Sequence, residues 1–457
     1  MHRSPGRRKI KPIAIAAAFV ALILAWVSWA YIAHLRLQKA IAEISARHEP
    51  VYISDLDFSP IPNNRNAAFY YLSAIAAMSN IIVSPSYSNL VYSGYPPFPP
   101  AWYQMMGHAM TADQAVFPLV RTARAFEAAD WGARPGPPGS SLSSIIPPNY
   151  LSPTRQLACL IGDAIEYAHL RSNDAEAIRY TFDLFHLADC VDQRGFLIGE
   201  LVGVGIKAIA ADRIQAIAPD LQVQGDSDAR HAAPRAAVMQ LINHLLDDKQ
   251  ELRSRKEAMI AERALDFDHA MLVRDKATVL RPMLDLDAVR VLGKSEHLVQ
   301  AMSQSNYPAA MALDGAAYAN SNAIRLSRMG SETVAHPTQL IQIEFRSVAE
   351  RRVTAVSLAV RLYRADHGQW PASLKILVGQ YLPSVPEDPF SATHQPIGYA
   401  VLRAPNGSVR PLVYFDPNGV PSVSRPPNSP CIGWVSSSAR QWRDLSLWWL
   451  PAPATKP

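Results

Sequence analysis

The sequence predicts a mainly α-helical protein held by a single N-terminal transmembrane helix, with a helical-hairpin body and a small α+β module near its C-terminal end. Three observations carry this prediction. An uncharged apolar run follows directly on a purely basic leader. Helix-period apolar spacing then recurs through most of the chain, up to about Asp366. Short strand-like segments separated by Pro, Asn and Gly come only after Gly368.

Charge excludes one function class at the outset. The chain of 457 residues carries a net charge of +5, which invites a nucleic-acid reading. Arg3, Arg7, Arg8, Lys9 and Lys11 account for all of it, and the remaining 39 basic and 39 acidic residues cancel. A neutral body has no electrostatic footprint for a phosphate backbone, so no nucleic-acid partner is expected. At 49 % apolar and 18 % charged the chain is globular, and its length leads us to expect more than one packing unit.

Residues 1–12 form the basic arm and residues 13–33 the transmembrane helix. The apolar run holds no charge, and at ~1.5 Å per residue it reaches about 31 Å, enough to cross a hydrocarbon core. The basic leader places the N-terminus in the cytoplasm, and Trp26, Trp29 and Tyr31 suit the far interface. A cleaved signal peptide is the competing reading, with Ser28-Trp29-Ala30 as an imperfect cleavage site. The run is longer than the usual ~7–15 residue apolar region of such a peptide, and a helix-compatible stretch follows without a break. On either reading residues 34–457 lie outside the cytoplasm.

Residues 34–153 read as juxtamembrane helices and Pro-rich connections. Helices are expected over 34–50, over 67–78 behind Asn63, Asn64 and Asn66, and over 113–130. Residues 84–100 and 132–153 are expected to be irregular. Residues 154–336 form the helical body. An antiparallel pair, 154–170 and 174–192, turns around Arg171-Ser172-Asn173, and a third helix over 196–218 ends at Pro219. One long amphipathic helix over 234–276 should carry Glu251 with Arg255, and Asp248 with Lys249, on its wet side. Residues 295–329 should be helical with an interruption near Pro308. Residues 337–420 form the α+β module: a helix over 337–366 opened by Pro337, then strands over 397–402 and 409–415. The tail, 421–457, is rich in Pro and holds Trp434, Trp442, Trp448 and Trp449, which should dock on the body or touch a membrane surface.

Two stretches resemble known families. The hairpin over 156–191, most visibly Asn173-Asp174-Ala175-Glu176-Ala177-Ile178-Arg179-Tyr180, resembles a tetratricopeptide-type helix pair, in which small alanines let two helices approach closely. Tyr363-Arg364, His367-Gly368-Gln369-Trp370-Pro371, Tyr381-Leu382-Pro383, Glu387-Asp388-Pro389-Phe390 and Tyr399 resemble the globular part of type II secretion pseudopilins. That resemblance implies a helix ending in a Gly-x-aromatic-Pro turn and an Asp-Pro-aromatic turn before a small sheet, with Gly368, Pro371, Asp388 and Pro389 as turn residues. The sequence departs from those proteins in having its membrane helix far upstream of the module, and Asp416-Pro417-Asn418-Gly419 lacks acidic calcium ligands. Taken whole, the anchor, Asn66-Ala67-Ala68 leading to Tyr70, Leu197-Ile198-Gly199-Glu200-Leu201-Val202-Gly203, Glu262-Arg263 and the module resemble a set of uncharacterised bacterial membrane-anchored envelope proteins. The resemblance implies a single-pass protein of the bacterial inner membrane with a periplasmic bulk, and no particular activity.

No catalytic constellation can be assembled from the sequence, and no cofactor or metal is expected. Residues 288–295 fit a loose phosphate-loop pattern, but their interior, Val289-Arg290-Val291-Leu292, is not the glycine-rich cradle that phosphates need. Gly203-Val204-Gly205 starts a dinucleotide fingerprint inside a helical run, where glycines are better read as letting a neighbouring helix pack closely. His186 and Cys190, one helical turn apart near Asp183 and Asp189, could begin a metal site, with His169 as a further ligand. Cys159 and Cys190 fall at similar heights on the two arms of the hairpin, so a disulfide between them is geometrically open. Glu262, Asp266, Asp268 and His269, followed by Arg274 and Asp275, make the densest titratable stretch. HExxH, GxSxG and SxxK are absent. The reading that follows is a non-enzymatic, membrane-anchored scaffold or interaction protein, partnered by the bilayer through residues 13–33 and by another envelope protein. Its alternatives are an accessory subunit of a secretion or pilus-like machine, and an envelope hydrolase of unfamiliar type. The hydrolase requires a pocket that gathers two or three of His169, His186, Glu262, Asp266 and His269.

Overall fold

The computed structural model describes residues 10–415 apart from 93–99, 135, 137–144, 146, 148–149, 194–195, 226–229, 320–336 and 404–408. The described chain is mostly helical, with one two-stranded antiparallel sheet. The tail with its four tryptophans, Cys431 and the turn at 416–419 lie outside the described residues.

Helix α1 (Ile10–Ser45) runs unbroken from the apolar span into the body. Ile15, Phe19, Leu22 and Leu24 are exposed, whereas Ala33, Leu37 and Ile44 are buried. Spacings of four and seven put those three residues on one stripe, so the helix changes from free to docked at about Ala33. Helix α2 (Ala67–Ala77) starts where Asn66 accepts a hydrogen bond from the amide of Ala68 at 3.0 Å. The same carboxamide bonds the backbone of Asp130 in both directions, at 2.8 and 3.0 Å, and so ties the helix start to a remote loop.

Three short helices follow: α3 (Pro85–Tyr92), α4 (Pro100–Ala112) and α5 (Val116–Ala123). The first of these corrects the expectation of irregular chain over 84–100. Ser84 caps it by accepting from the amide of Tyr87 at 3.2 Å, and Pro85 fills the first turn, where proline costs no hydrogen bond.

Helices α6 (Leu151–Leu170) and α7 (Asp174–Asp192) form the expected hairpin, turned by Ser172 at φ 56° and capped by Asn173. Helix α8 (Leu197–Ile217) packs across both. Close approach there comes from Gly162 of α6, where an added Cβ would sit 2.6 Å from Ile209. Gly205 faces open space, so the expected role of the 203–205 glycines in helix approach is not met at that position.

The long helix expected over 234–276 is two helices, α9 (Arg235–Leu245) and α10 (Asp248–Lys276). Asp247 breaks the run by accepting from the amide of Lys249 at 3.1 Å and capping α10. Glu251 and Arg255, expected on the wet face, are buried. Helix α11 (Arg281–Met302) begins well before residue 295, with Pro282 in its first turn. The 288–295 stretch is therefore helix rather than a phosphate loop. Helix α12 (Tyr307–Ala319) restarts after a break capped by Asn306.

Helix α13 (Pro337–His367) ends at Gly368, whose φ of 69° is the left-handed conformation a helix stop requires. Strands β1 (Gly398–Arg403) and β2 (Val409–Tyr414) pair antiparallel, with Tyr399 opposite Val413. The turn between helix and hairpin is fixed by side chains. Trp370 donates to the carbonyl of Val409 at 3.0 Å, and Tyr399 donates to that of Pro371 at 2.8 Å. Asp388 accepts from the amide of Phe390 at 2.9 Å, and Pro389 accepts from the amide of Tyr307 at 2.8 Å, which seats the second turn on α12. Helix α13 also packs on α8 and α9. Buried residues from Ile53 to Phe415 accordingly form one contiguous core, and a smaller core lies under α1.

Candidate functional site

The most specific construction is the joint between α1 and the body. Leu37 and Ile44 pack with Phe267 and Ala270 of α10 and Ala288 and Leu292 of α11. Just past the helix end, Arg263 of α10 is fully buried. Its guanidinium donates to Glu49 at 2.9 Å, to the carbonyl of Pro50 at 3.2 Å and to Glu296 of α11 at 2.8 Å. Arg47 reaches the same Glu296 at 2.8 Å, and Lys256 lies 3.6 Å from Glu49. Burial works against the charge on Glu49, but Arg263 and Arg47 hold its carboxyl below the usual range. Asp268 accepts from the amide of Ile53 at 3.4 Å and extends the clasp. A planar guanidinium presents its donors in a fixed fork, and Arg263 meets Glu296 and Glu49 through two separate nitrogens.

A second charged cluster lies in the middle of the body. Lys207, from the apolar α8, is 2 % exposed and sits 2.9 Å from Glu251 and 3.4 Å from Asp189. Arg351 of α13 is 3.5 Å from Glu251 and donates to the carbonyl of Asp247 at 3.1 Å. Burial alone would raise Glu251, but Lys207 and Arg351 hold it down at about 2. Glu200 accepts from Ser254 at 2.7 Å, and burial next to Glu344 pushes it up to about 8. A third buried group joins Tyr87, Asp163, Glu166 and Arg213. Tyr87 donates to Asp163, and Arg213 bonds Asp163 at 2.8 Å. Burial raises Glu166 to about 8 although Arg213 lies 3.8 Å away.

The predicted polar cluster separates into different places. Glu262 and Asp266 are one turn apart on α10, and His269 follows three residues on. Burial and the charge of Asp266 raise Glu262 to about 7, and burial raises Asp266 to about 6 against the pull of Lys294. The two carboxyls therefore titrate close to neutral pH. His186 belongs elsewhere, on α7. Its Nε2–H donates to the carbonyl of Phe126 at 3.0 Å, which leaves Nδ1 to accept from Tyr71 at 2.6 Å. Burial lowers its pKa and keeps it neutral. His169 pairs with Asp174 at 2.6 Å at the hairpin turn, and Asp183 is held by Arg121 and Arg124 at 2.9 and 3.0 Å. These residues do not converge on one pocket. A cleft lined by Trp131, Tyr150, Val191, Phe196 and Gly199 has room for about one water.

The cysteine expectation is corrected. Cys159 and Cys190 are free thiols, the first exposed and the second buried. Cys190 instead faces its own helix, with its sulfur 3.7 Å from Nδ1 of His186. A thiol beside an imidazole resembles a nucleophilic pair, but both ring nitrogens are already engaged and no proton acceptor is free. Among the described residues, no group of three or more His, Cys, Asp or Glu is placed to hold a metal ion. Sequence reading passed over Lys207 and the bridging of Arg263. The signal for the first was a lone lysine within the apolar Val204–Ile209 stretch. No protein-family model, curated protein or solved structure matches the chain.

Proposed function

We propose that the chain is a membrane-anchored scaffold or interaction protein of the bacterial envelope, with its N-terminus in the cytoplasm and its bulk outside. The observation that carries this reading is the α1 joint. An exposed apolar helix long enough to span a bilayer continues without a break into a stripe seated on two body helices and closed by a buried arginine. A signal peptide destined for removal has no need of such a seat. The buried ionic groups fit a scaffold: among the described residues they join distant parts of the chain to one another, as Lys207 to Glu251, Arg213 to Asp163 and Arg263 to Glu49. On this reading the α6–α7 pair is a tetratricopeptide-like hairpin, and the hairpin helices present the partner surface.

A reporter that is active only outside the cytoplasm, fused after the last residue, tests the topology. Activity in that fusion, together with membrane retention after carbonate washing, is expected. A cytosolic reporter or a soluble full-length chain would refute the reading. Crosslinking in intact envelopes followed by purification should recover a protein partner, and recovery of none would count against a scaffold.

One observation favours a second reading, an accessory subunit of a secretion or pilus-like machine. The Gly368 stop, the turns at Pro371 and Asp388–Pro389 and the two-stranded hairpin follow the order of a pseudopilin globular part. Recovery of secretion components in the same crosslinking experiment would favour it over the first.

A further inference from the structure

Among the exposed large apolar residues of the described body, Val279 is the most exposed. Where α10 turns into α11, Val279 is 76 % exposed and Leu280 46 % exposed, side by side at the tip of a helical hairpin. Such a pair at a turn needs a reason, since turns in water favour polar residues.

The register of the helices supplies the reason. Asp285 of α11 lies opposite His34 of α1, and Glu296 lies opposite Arg47, offsets of 251 and 249 positions. The two helices therefore run parallel and in step. Helix α10 runs back antiparallel, with Arg274 bonded to Asp285 and Arg263 to Glu296. Extending the register to the tip sets Val279 and Leu280 level with about residue 29 of α1, within the last turns of the apolar span. Trp29 and Ala30 are already half-buried, ahead of the first fully buried residue at Ala33, as a neighbouring tip at that height requires.

The surroundings fit an interface between lipid and water. Trp26 and Trp29 pack edge to face at 5.1 Å, and Tyr31 is exposed beside them, as aromatic residues at headgroup level do. Lys276 and Arg281 flank the apolar pair and are exposed; Arg281 bonds Asp275 at 3.2 Å, and Lys276 offers the cationic end for a lipid phosphate.

We infer that the α10–α11 tip is a second membrane contact, with Val279 and Leu280 seated at the boundary of headgroups and acyl chains in the outer leaflet. This rests on α1 spanning the bilayer. A lipid surface, rather than a protein, is the occupant because the tip stands at the height where the span itself leaves the membrane. The body is then fixed by two points, a spanning helix and a dipping tip, and its orientation to the membrane is set rather than free.

The test uses the full chain in vesicles of phosphatidylethanolamine and phosphatidylglycerol. An environment-sensitive fluorescent amino acid is incorporated singly at Val279, at Ile23 in the span, or at Gln250, which is exposed at the far end of α10. Lipids carrying a nitroxide quencher near the headgroup or deep in the acyl chain are then added. Ile23 should be quenched by the deep label, and Val279 should lose about half its emission to the shallow one, consistent with burial of ~5–10 Å. Gln250 should lose none. If Ile23 is quenched and Val279 behaves like Gln250, the tip contact is overturned while the anchor stands. If Ile23 is not quenched by either label, the anchor reading fails and the tip contact falls with it.

Discussion

Replacing Arg263 with methionine isolates the joint between membrane helix and body. Methionine keeps the apolar stem and removes only the guanidinium, which makes two ion-pair hydrogen bonds, at 2.9 Å to Glu49 and 2.8 Å to Glu296. Hydrogen bonds to charged groups contribute about 1.5–3 kcal/mol each, and breaking a buried pair costs about 3–5 kcal/mol. Arg47 and Lys256 stay behind to shield both carboxylates, which puts the expected loss at the low end, about 3 kcal/mol. That loss applies to the docking of the α1 end rather than to the whole fold. Hydrogen exchange in detergent or nanodiscs reads it directly. Amides over residues 42–48 should exchange about a hundredfold faster in Arg263→Met, at 1.4 kcal/mol per tenfold, while those of α6 and α7 stay unchanged. Arg263→Lys should recover only part of the protection, because one ammonium nitrogen on a shorter side chain must replace the two nitrogens that reach Glu296 and Glu49. Unchanged exchange over 42–48, or full rescue by lysine, would refute the claim that a bidentate arginine closes the joint.

Other perturbations test the interior. Lys207→Met leaves Glu251 and Asp189 without their shared cation and should cost about 3–5 kcal/mol, seen as a lower urea midpoint; an unchanged midpoint would show the cluster to be energetically idle. Burial raises Glu262 and Glu350 to about 7 and Glu166 and Glu200 to about 8, all above the ordinary 4.5. A folded pKa above the unfolded one gives stability that is lost as pH rises through it, so the urea midpoint should fall between about pH 6.5 and 8.5. His186 and His244, lowered by burial, act only below their ordinary 6.5 and leave that window clear. Glu262→Gln should flatten the fall, and a midpoint that rises across the window would contradict the assignment. A maleimide should modify Cys159 in the native protein and Cys190 only after denaturation; rapid native modification of Cys190 would contradict its burial. Asn66→Ala removes a helix cap and two bonds to Asp130 and should cost about 2–3 kcal/mol by the same urea assay.

What the sequence determined by itself were the features written in neighbouring residues. The apolar run behind five basic residues, the α6–α7 hairpin around Asn173, the stop at Gly368 and the two short strands all follow from local spacing, caps and φ preferences, which need no distant partner. Caps were also where local reading failed: Ser84-Pro85 opened a helix that the surrounding prolines obscured, and Asp247 split a helix that looked continuous. Tertiary structure alone decided the fate of the charges. Glu251 and Arg255 looked wet on an amphipathic helix, yet α8 and α13 bring Lys207 and Arg351 against Glu251, and α13 lays Phe345 under Arg255. Two cysteines at matching heights on a hairpin point to different surroundings. His186 and Glu262 sit on different helices in different clusters. Whether a charge is solvated or buried depends on which helix is laid over it, and packing between elements far apart in the chain fixes that.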